Sequence, residues 1–325
     1  TPCILQIPDL KVAYAEFHNK GFEIIGISVD TRESRWKNAM DKYNMPWPHL
    51  SDLKGYGSVA ATNYNVTFIP SNVLIDENGK IIKKLVTDRH ISADHLIVSN
   101  HRKTTVKSRI LASNQQILRV DEEDTHSLHT EEEKSLLSSL TEFINKNDVA
   151  VLIFQDYNKG VLSPVLISQV ISMTKSKGIP TVVDPKKDNF WSYEGVTCFK
   201  PNLKEIKDAL LLDIKPSDES LKEVHKALHS KLRNDISLVT LSEHGIFYGT
   251  NEINHLIPTK PRKIVDVCGA GDAVVAIVSL CIAHQISPLN TCKLANMAGG
   301  QVCESVGVVP IAKIKLCREI GSVSH

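Results

Sequence analysis

The chain has 325 residues, a net charge of +1, 42% hydrophobic and 23% charged content, a length that predicts two compact units with cores of their own. The balanced charge leaves no electrostatic footprint for nucleic acid or a membrane surface, no stretch approaches the ~20 apolar residues that span a bilayer, and small molecules are the expected partners. The start at Thr1 lacks the basic, apolar and small-residue pattern of a secretion signal and suggests a fragment or a processed chain. Seven cysteines, an odd number with no zinc-ligand spacing to each other or to histidine, argue against a structural metal and fit a reduced, cytoplasmic compartment for residues 198–317. Cys281 and Cys292 read as small hydrophobes within helices.

Taken in chain order, "PDLKVAYAEFHNKG" has helical apolar spacing and ends at Gly21, "FEIIGISVD" reads as a buried strand, and "RESRWKNAMDKY" is again helical. "SNVLIDENGKIIKK" predicts a hairpin turning at Asn78-Gly79, preceded by Ile69-Pro70. The polar stretch from Val86 to Lys103 breaks the pattern, and "TTVKSRILA" with "QQILRVD" forms a second hairpin. Helices "EEEKSLLSSLTEFINK", "SPVLISQVISMTKSKG" and "KPNLKEIKDALL" then alternate with strands "VAVLIF", "TVVD" and "ISLVTL". That alternation predicts a doubly wound, mostly parallel sheet with helices on both faces.

The stretch with the most chemistry is "KIVDVCGAGDAVVAIVSL". Gly269, Ala270 and Gly271 fall where a strand gives way to a helix, and small residues there let free backbone amides approach an anion such as phosphate. Asp272, in the first helical turn, suits the helix dipole whatever the function. A carboxylate beside an anion corner can also accept the proton of an alcohol during phosphoryl transfer. Asn202 and Glu205 of "KPNLKE" lie on one helix face at i, i+3, suited to hydrated Mg²⁺ near phosphates, and Asp184 and Lys186 of "VVDPK" sit at a strand edge where α/β folds bind ligands.

With these motifs on view, the sequence from about Ile91 onward resembles the PfkB (ribokinase-like) carbohydrate kinases, and most closely the heptose-7-phosphate kinases of lipopolysaccharide precursor synthesis. The resemblance rests on "TTVKSRILASNQQILRVDEED", "QDYNKGVLSPVL", "VDPKKDNFWSYEGVTCFKPNLKE", "VDVCGAGD" and "LANMAGGQVCESVGVVP", in that order. It implies that Asp272 is the catalytic base and that Gly269, Ala270 and Gly271 form the anion hole. Asn202 and Glu205 would belong to an Asn-x-x-Glu element around Mg²⁺ and phosphate. Thr240, Glu243, Gly245 and Asn296 would line the ATP site, with Asn296 near adenine. Lys107, Arg109, Gln116 and Arg119 would look toward a phosphorylated sugar, as cations suit a sugar phosphate; alternation on a solvent-facing strand explains them too. Asp156, Tyr157 and Lys159 match a loop near the active site, although turn chemistry accounts for "YNKG" equally. Two departures stand out: Ala273 where the family usually has Thr or Ser, and neither the Gly-Asp strand nor the Gly-Gly sugar-binding segment upstream of Ile91.

Residues 1 to about 84 resemble instead the thiol-disulfide oxidoreductases of the thioredoxin-like redoxin group. By that resemblance Cys3 is the resolving cysteine of a Trp-Cys-x-x-Cys motif whose nucleophile would lie before Thr1, and Pro70 is the family's cis-proline. The expected organisation is a thioredoxin-like fragment at 1–86, a junction at 87–103 and a kinase domain at 104–325 lacking its N-terminal sugar-binding part. Three functions stay open: an ATP- and Mg²⁺-dependent sugar kinase of the cytoplasm, compatible with a homodimer and inactive if the lacking half is essential; a redox module; or a non-catalytic nucleotide-binding hybrid.

Overall fold

The computed structural model of the chain describes residues 2–20, 23–63, 91–99, 101–112, 115–305 and 307–321. It divides into two compact units, Thr1–Asp94 and His95–His325. Pro70 and the hairpin expected over residues 71–84 lie outside the described residues, as does the side chain of Cys3.

In the first unit, α1 (Pro2–Phe17) precedes a parallel pair, β1 (Gly26–Ile27) and β2 (His49–Leu50), joined through α2 (Glu33–Tyr43), and α3 (Val59–Asn63) follows. This is one βαβ crossover. Helix α2 ends because Asn44 takes a left-handed conformation, φ 42°, and its amide caps Asp41 O. Buried Trp47 packs against the rings of Tyr14 and His49. The strand expected to be buried over 22–30 is corrected here: among the described residues only Gly26 and Ile27 pair, and Ile25 and Ile27 are exposed. Among the described residues β1 has a single neighbouring strand, so an apolar run alone does not bury it.

The second unit opens with the antiparallel hairpin β3 (Val106–Ala112) and β4 (Gln115–Glu122). After α4 (Thr130–Lys146) come β5 (Leu152–Gln155), α5 (Pro164–Ser176), β6 (Thr181–Asp184), β7 (Cys198–Phe199), α6 (Leu203–Leu210), α7 (Asp218–Leu232), β8 (Ile236–Thr240), β9 (Ile246–Gly249), β10 (Asn254–Ile257), α8 (Ala270–Ala283), α9 (Pro288–Val302) and α10 (Lys313–Gly321). Strands β5 to β10 form one six-stranded sheet in the order β10-β9-β8-β7-β6-β5. Strands β5 to β8 are parallel, while β9 and β10 run antiparallel at one edge. The doubly wound, mostly parallel sheet expected from the sequence is present, and its antiparallel edge arises because short turns after β8 and β9 leave no room for a crossover helix.

Side chains along this sheet alternate between two cores. Phe154, Val183, Phe199, Val239 and Phe247 pack with α5, α6 and α7, whereas Val182, Cys198, Leu238, Ile246 and Tyr248 pack with Val274, Val275 and Val278 of α8 and Cys292 and Ala295 of α9. The period of two in the strands thus produces the doubly wound layering. Fully buried side chains such as Phe199, Phe247 and Leu238 each contribute about 1.5–3 kcal/mol of burial. Helix starts are fixed locally: Ser163 accepts from Leu166 N at 3.0 Å, with Pro164 at the first helical position of α5.

Candidate active site

Of the sequence-selected residues, Asp184, Lys186, Asn202, Glu205, Thr240 and Asp272 are linked across the C-terminal ends of the parallel strands, where an α/β sheet leaves its ligand crevice, whereas Lys107, Arg109, Gln116 and Arg119 belong to a separate two-stranded sheet. Gly269 stands at φ 80°, a left-handed conformation that turns the chain into α8. Ala270 N is bonded to Val267 O at 3.3 Å and Ala273 N to Gly269 O at 2.9 Å. Among the described residues, the amides of Gly271 and Asp272 have no acceptor, so the corner keeps donors for an anion at the positive end of the helix. The loop before it is tied down by Asp266, whose carboxylate accepts from Cys268 N at 3.0 Å and Gly307 N at 2.9 Å, and by Cys303 O, which takes the amides of Val265 and Asp266.

Asp272 is exposed. Its Oδ1 accepts from Gln155 Nε2 at 2.9 Å and from Tyr157 OH at 3.3 Å. Partial burial and then the Asp272 charge push the Tyr157 phenol up, so it stays a neutral donor. Gln155 Nε2 also donates to Asp184 Oδ2 at 3.1 Å. Asp184 is buried and its Oδ1 lies 3.1 Å from Lys200 Nζ and 3.5 Å from Lys186 Nζ. Lys200 is only 2% exposed. A methyl group added at Gly271 would come within 4.0 Å of both Asp184 Oδ2 and Lys200 Nζ, so the anion corner sits directly above this buried pair.

From Lys186 the network continues. Its ammonium donates to Glu205 Oε1 at 2.8 Å; burial opposes the charge, but the carboxylates of Asp184 and Glu205 outweigh it and hold its pKa above the usual lysine value. Asn202 and Glu205 cap α6 reciprocally: Glu205 N donates to Asn202 Oδ1 at 2.9 Å and Asn202 N to Glu205 Oε2 at 2.8 Å. Asn202 in turn bridges Thr240 at the end of β8. One polar chain therefore runs Asp272, Gln155, Asp184, Lys186, Glu205, Asn202 across the strand ends, and backbone pairing sets Asn202 beside Thr240.

Beyond Thr240 lies the second group. Gly245 has φ 95°, and a Cβ there would fall 2.0 Å from Ile257 O, so only glycine fits. Asn296 Nδ2 donates to that same Ile257 O at 3.0 Å, which brings Gly245 and Asn296 together, while Glu243 stands exposed on the intervening turn. In the hairpin the backbone register sets Lys107 across from Asp121 and Arg109 across from Arg119, and a register shift between Ile110 and Leu111 sets Gln116 across from Leu111. The exit of the hairpin is fastened to the Asp156–Lys159 turn, because Lys159 is ion-paired with Glu123 and Arg102 donates to the carbonyls of Asp124, His126 and Lys159. Asp156, buried, anchors that turn from below by accepting from Tyr193 OH at 2.7 Å, Asn189 Nδ2 at 3.1 Å and Asn158 N at 2.7 Å.

Gln155, Lys200 and Asp266 were not singled out from sequence. Gln155 opens the "QDYNKG" motif, and Lys200 is a cation placed directly after the apolar strand β7, which is a usable signal. Burial pushes the thiols of Cys198 and Cys292 up to about 12, which leaves them as inert core residues. Among the described residues no helix is long and apolar enough to cross a membrane.

Comparison with known proteins bears on the fold and the family. Residues 1–84 match the AhpC/TSA family, in keeping with a thioredoxin-like N-terminal unit. The chain is 36% identical to the bifunctional protein HldE of Sulfurimonas denitrificans over 237 residues, 73% of this chain and 49% of that protein. It is also 36% identical to HldE of Campylobacter jejuni strain RM1221 over 269 residues, 81% of this chain and 56% of that protein. The chain thus spans about half the length of the curated relatives it matches. In structure it resembles Escherichia coli phosphofructokinase-2 crystallised with potassium (TM-score 0.64, 17% identity, 74% of this chain and 77% of that one). It also resembles Arabidopsis thaliana ribokinase with ribose and ATP (TM-score 0.58, 17% identity, 74% and 78%). With residues 70–314 matching its family pattern on top of a ribokinase-like fold, the chain belongs to the pfkB family of carbohydrate kinases.

Proposed function

We propose that this chain transfers the γ-phosphoryl group of ATP to a hydroxyl of heptose 7-phosphate in the cytoplasm. The observation that carries the reading is Asp272: an exposed carboxylate at the mouth of an anion corner, with both of its protein donors on one oxygen. Asp272 accepts the hydroxyl proton as the sugar oxygen bonds to the γ-phosphorus, the bond from that phosphorus to the β,γ-bridging oxygen breaks, and ADP leaves with the electron pair. The amides of Gly271 and Asp272 stabilise the charge carried by the transferred group, and Lys200 contributes a fixed positive charge beneath them.

Asn202 and Glu205 suit Mg²⁺ held through water and not a stripped ion. No cluster of three or more His, Cys, Asp or Glu converges among the described residues, and Glu205 already accepts from Lys186 and Asn202 N, leaving lone pairs that fit water ligands. When bound, the ion neutralises phosphate charge. Thr240, Glu243, Gly245 and Asn296 would line the nucleotide, and Lys107, Arg109, Gln116 and Arg119 would bind the sugar phosphate.

The test is ADP formation with heptose 7-phosphate, for the chain and for Asp272→Asn. Turnover that the substitution lowers by about 100-fold or more supports the reading. Nucleotide binding in a calorimeter with no turnover on any sugar phosphate would replace it with a non-catalytic nucleotide-binding role.

A further inference from the structure

Two carboxylates, Asp184 and Asp272, approach one side-chain amide. Ionised carboxylates only accept and repel each other, so a donor or a cation is needed between them. Gln155 Nε2 is that donor, at 3.1 Å from Asp184 Oδ2 and 2.9 Å from Asp272 Oδ1. Gln155 ends β5, whose register with β6 pairs it with Asp184. The amide is thus carried on the sheet, while Asp272 is carried on α8. Tyr157 OH adds a second donor to the same Oδ1 at 3.3 Å, and among the described residues no donor bonds Oδ2. The titratable groups facing this amide are Asp272, Asp184, Tyr157 and, behind Asp184, Lys200 and Lys186.

Accepting that Asp272 is the base, we infer that Gln155 is its positioning residue: the neutral amide clamps Oδ1 to the end of β5 and thereby presents Oδ2 to the substrate hydroxyl. A cation at 155 would pair with Asp272 and weaken it as a base, and an anion would be repelled. A neutral two-hydrogen donor fixes its direction while leaving its charge intact. The clamp also couples the base to the buried Lys200–Asp184 pair, so the tip of α8 cannot rotate without breaking a contact to the sheet.

The experiment uses the full chain with Gln155→Leu and Gln155→Glu, each verified as folded by its thermal melt. Q155L should lower kcat on the order of 100-fold with KM for ATP unchanged, the expected cost of a slightly misplaced group. Q155E brings a third carboxylate against Asp272 and should move the acid limb of the kcat/KM profile up by about one pH unit. A readout free of turnover is the carboxyl ¹³C titration of chain labelled at aspartate, with the Asp272 signal assigned by its loss in D272N; Q155E should raise that midpoint by a similar amount. An unchanged midpoint, or a Q155L enzyme with wild-type kcat, overturns the inference while the Asp272 reading stands. A raised midpoint in a chain that turns over no sugar phosphate supports the clamp and removes the base reading instead.

Discussion

Lys200→Met tests whether the buried pair beneath the anion corner is a structural keystone. Lys200 is 2% exposed and Asp184 5%, and removing one member of a buried pair costs about 3–5 kcal/mol because the other charge stays behind. Here Asp184 keeps Gln155 at 3.1 Å and Lys186 at 3.5 Å, so the lower end, about 3 kcal/mol, is expected. For a unit of this size that corresponds to a fall of roughly 6–12 °C in Tm. The double variant K200M/D184N removes both charges and should recover most of the loss, since methionine fills a similar volume. Urea melts followed by circular dichroism measure both. A loss under about 1 kcal/mol in K200M, the size of a surface pair, or a double variant as unstable as the single one, would refute the reasoning.

Gly245→Ala should destabilise by at least about 2 kcal/mol, since its Cβ would meet Ile257 O at 2.0 Å with φ at 95°; a Tm within a degree of wild type would contradict this. Cys198 and Cys292, moved by burial from an ordinary 9.0 to about 12, keep their protons in the folded chain at pH values where the unfolded thiols ionise. Their contribution to stability is complete below pH 9 and lost as the pH rises toward 12, at a slope of about 1.4 kcal/mol per pH unit for each. The native chain at pH 8 should show Cys317, exposed, reacting with a disulfide reagent while Cys198 and Cys292 stay protected until urea is added.

The helix start at Gly269–Asp272, the helix opening at Asn202 and the helix order from Thr130 to Leu210 were legible because each depends on residues a few positions apart, although the stretch before Gly269, expected to be a strand, is not one. What sequence did not disclose was long-range. The bridge from Gln155 to Asp272 spans 117 positions, and no periodicity announces a contact of that separation. The antiparallel edge β9–β10 follows from the tight turns at Ser242–His244 and Thr250–Ile253, which apolar runs alone do not reveal. The buried strand expected around Ile25 failed for a related reason: hydrophobicity states a preference for burial, and only neighbouring strands or helices can satisfy it.

Helix α8 is both wall and pointer. Val274, Val275 and Val278 seat it on Val182 and Leu238, and its first turn holds Asp272. A helix advances about 100° per residue, so the aim of that carboxylate is set by how the valines lodge several ångströms away. Trimming Val275 would therefore act as a detuning of alignment, visible in rate before it is visible in melting temperature, and the interior of this sheet is in that sense the mount on which its chemistry is sighted.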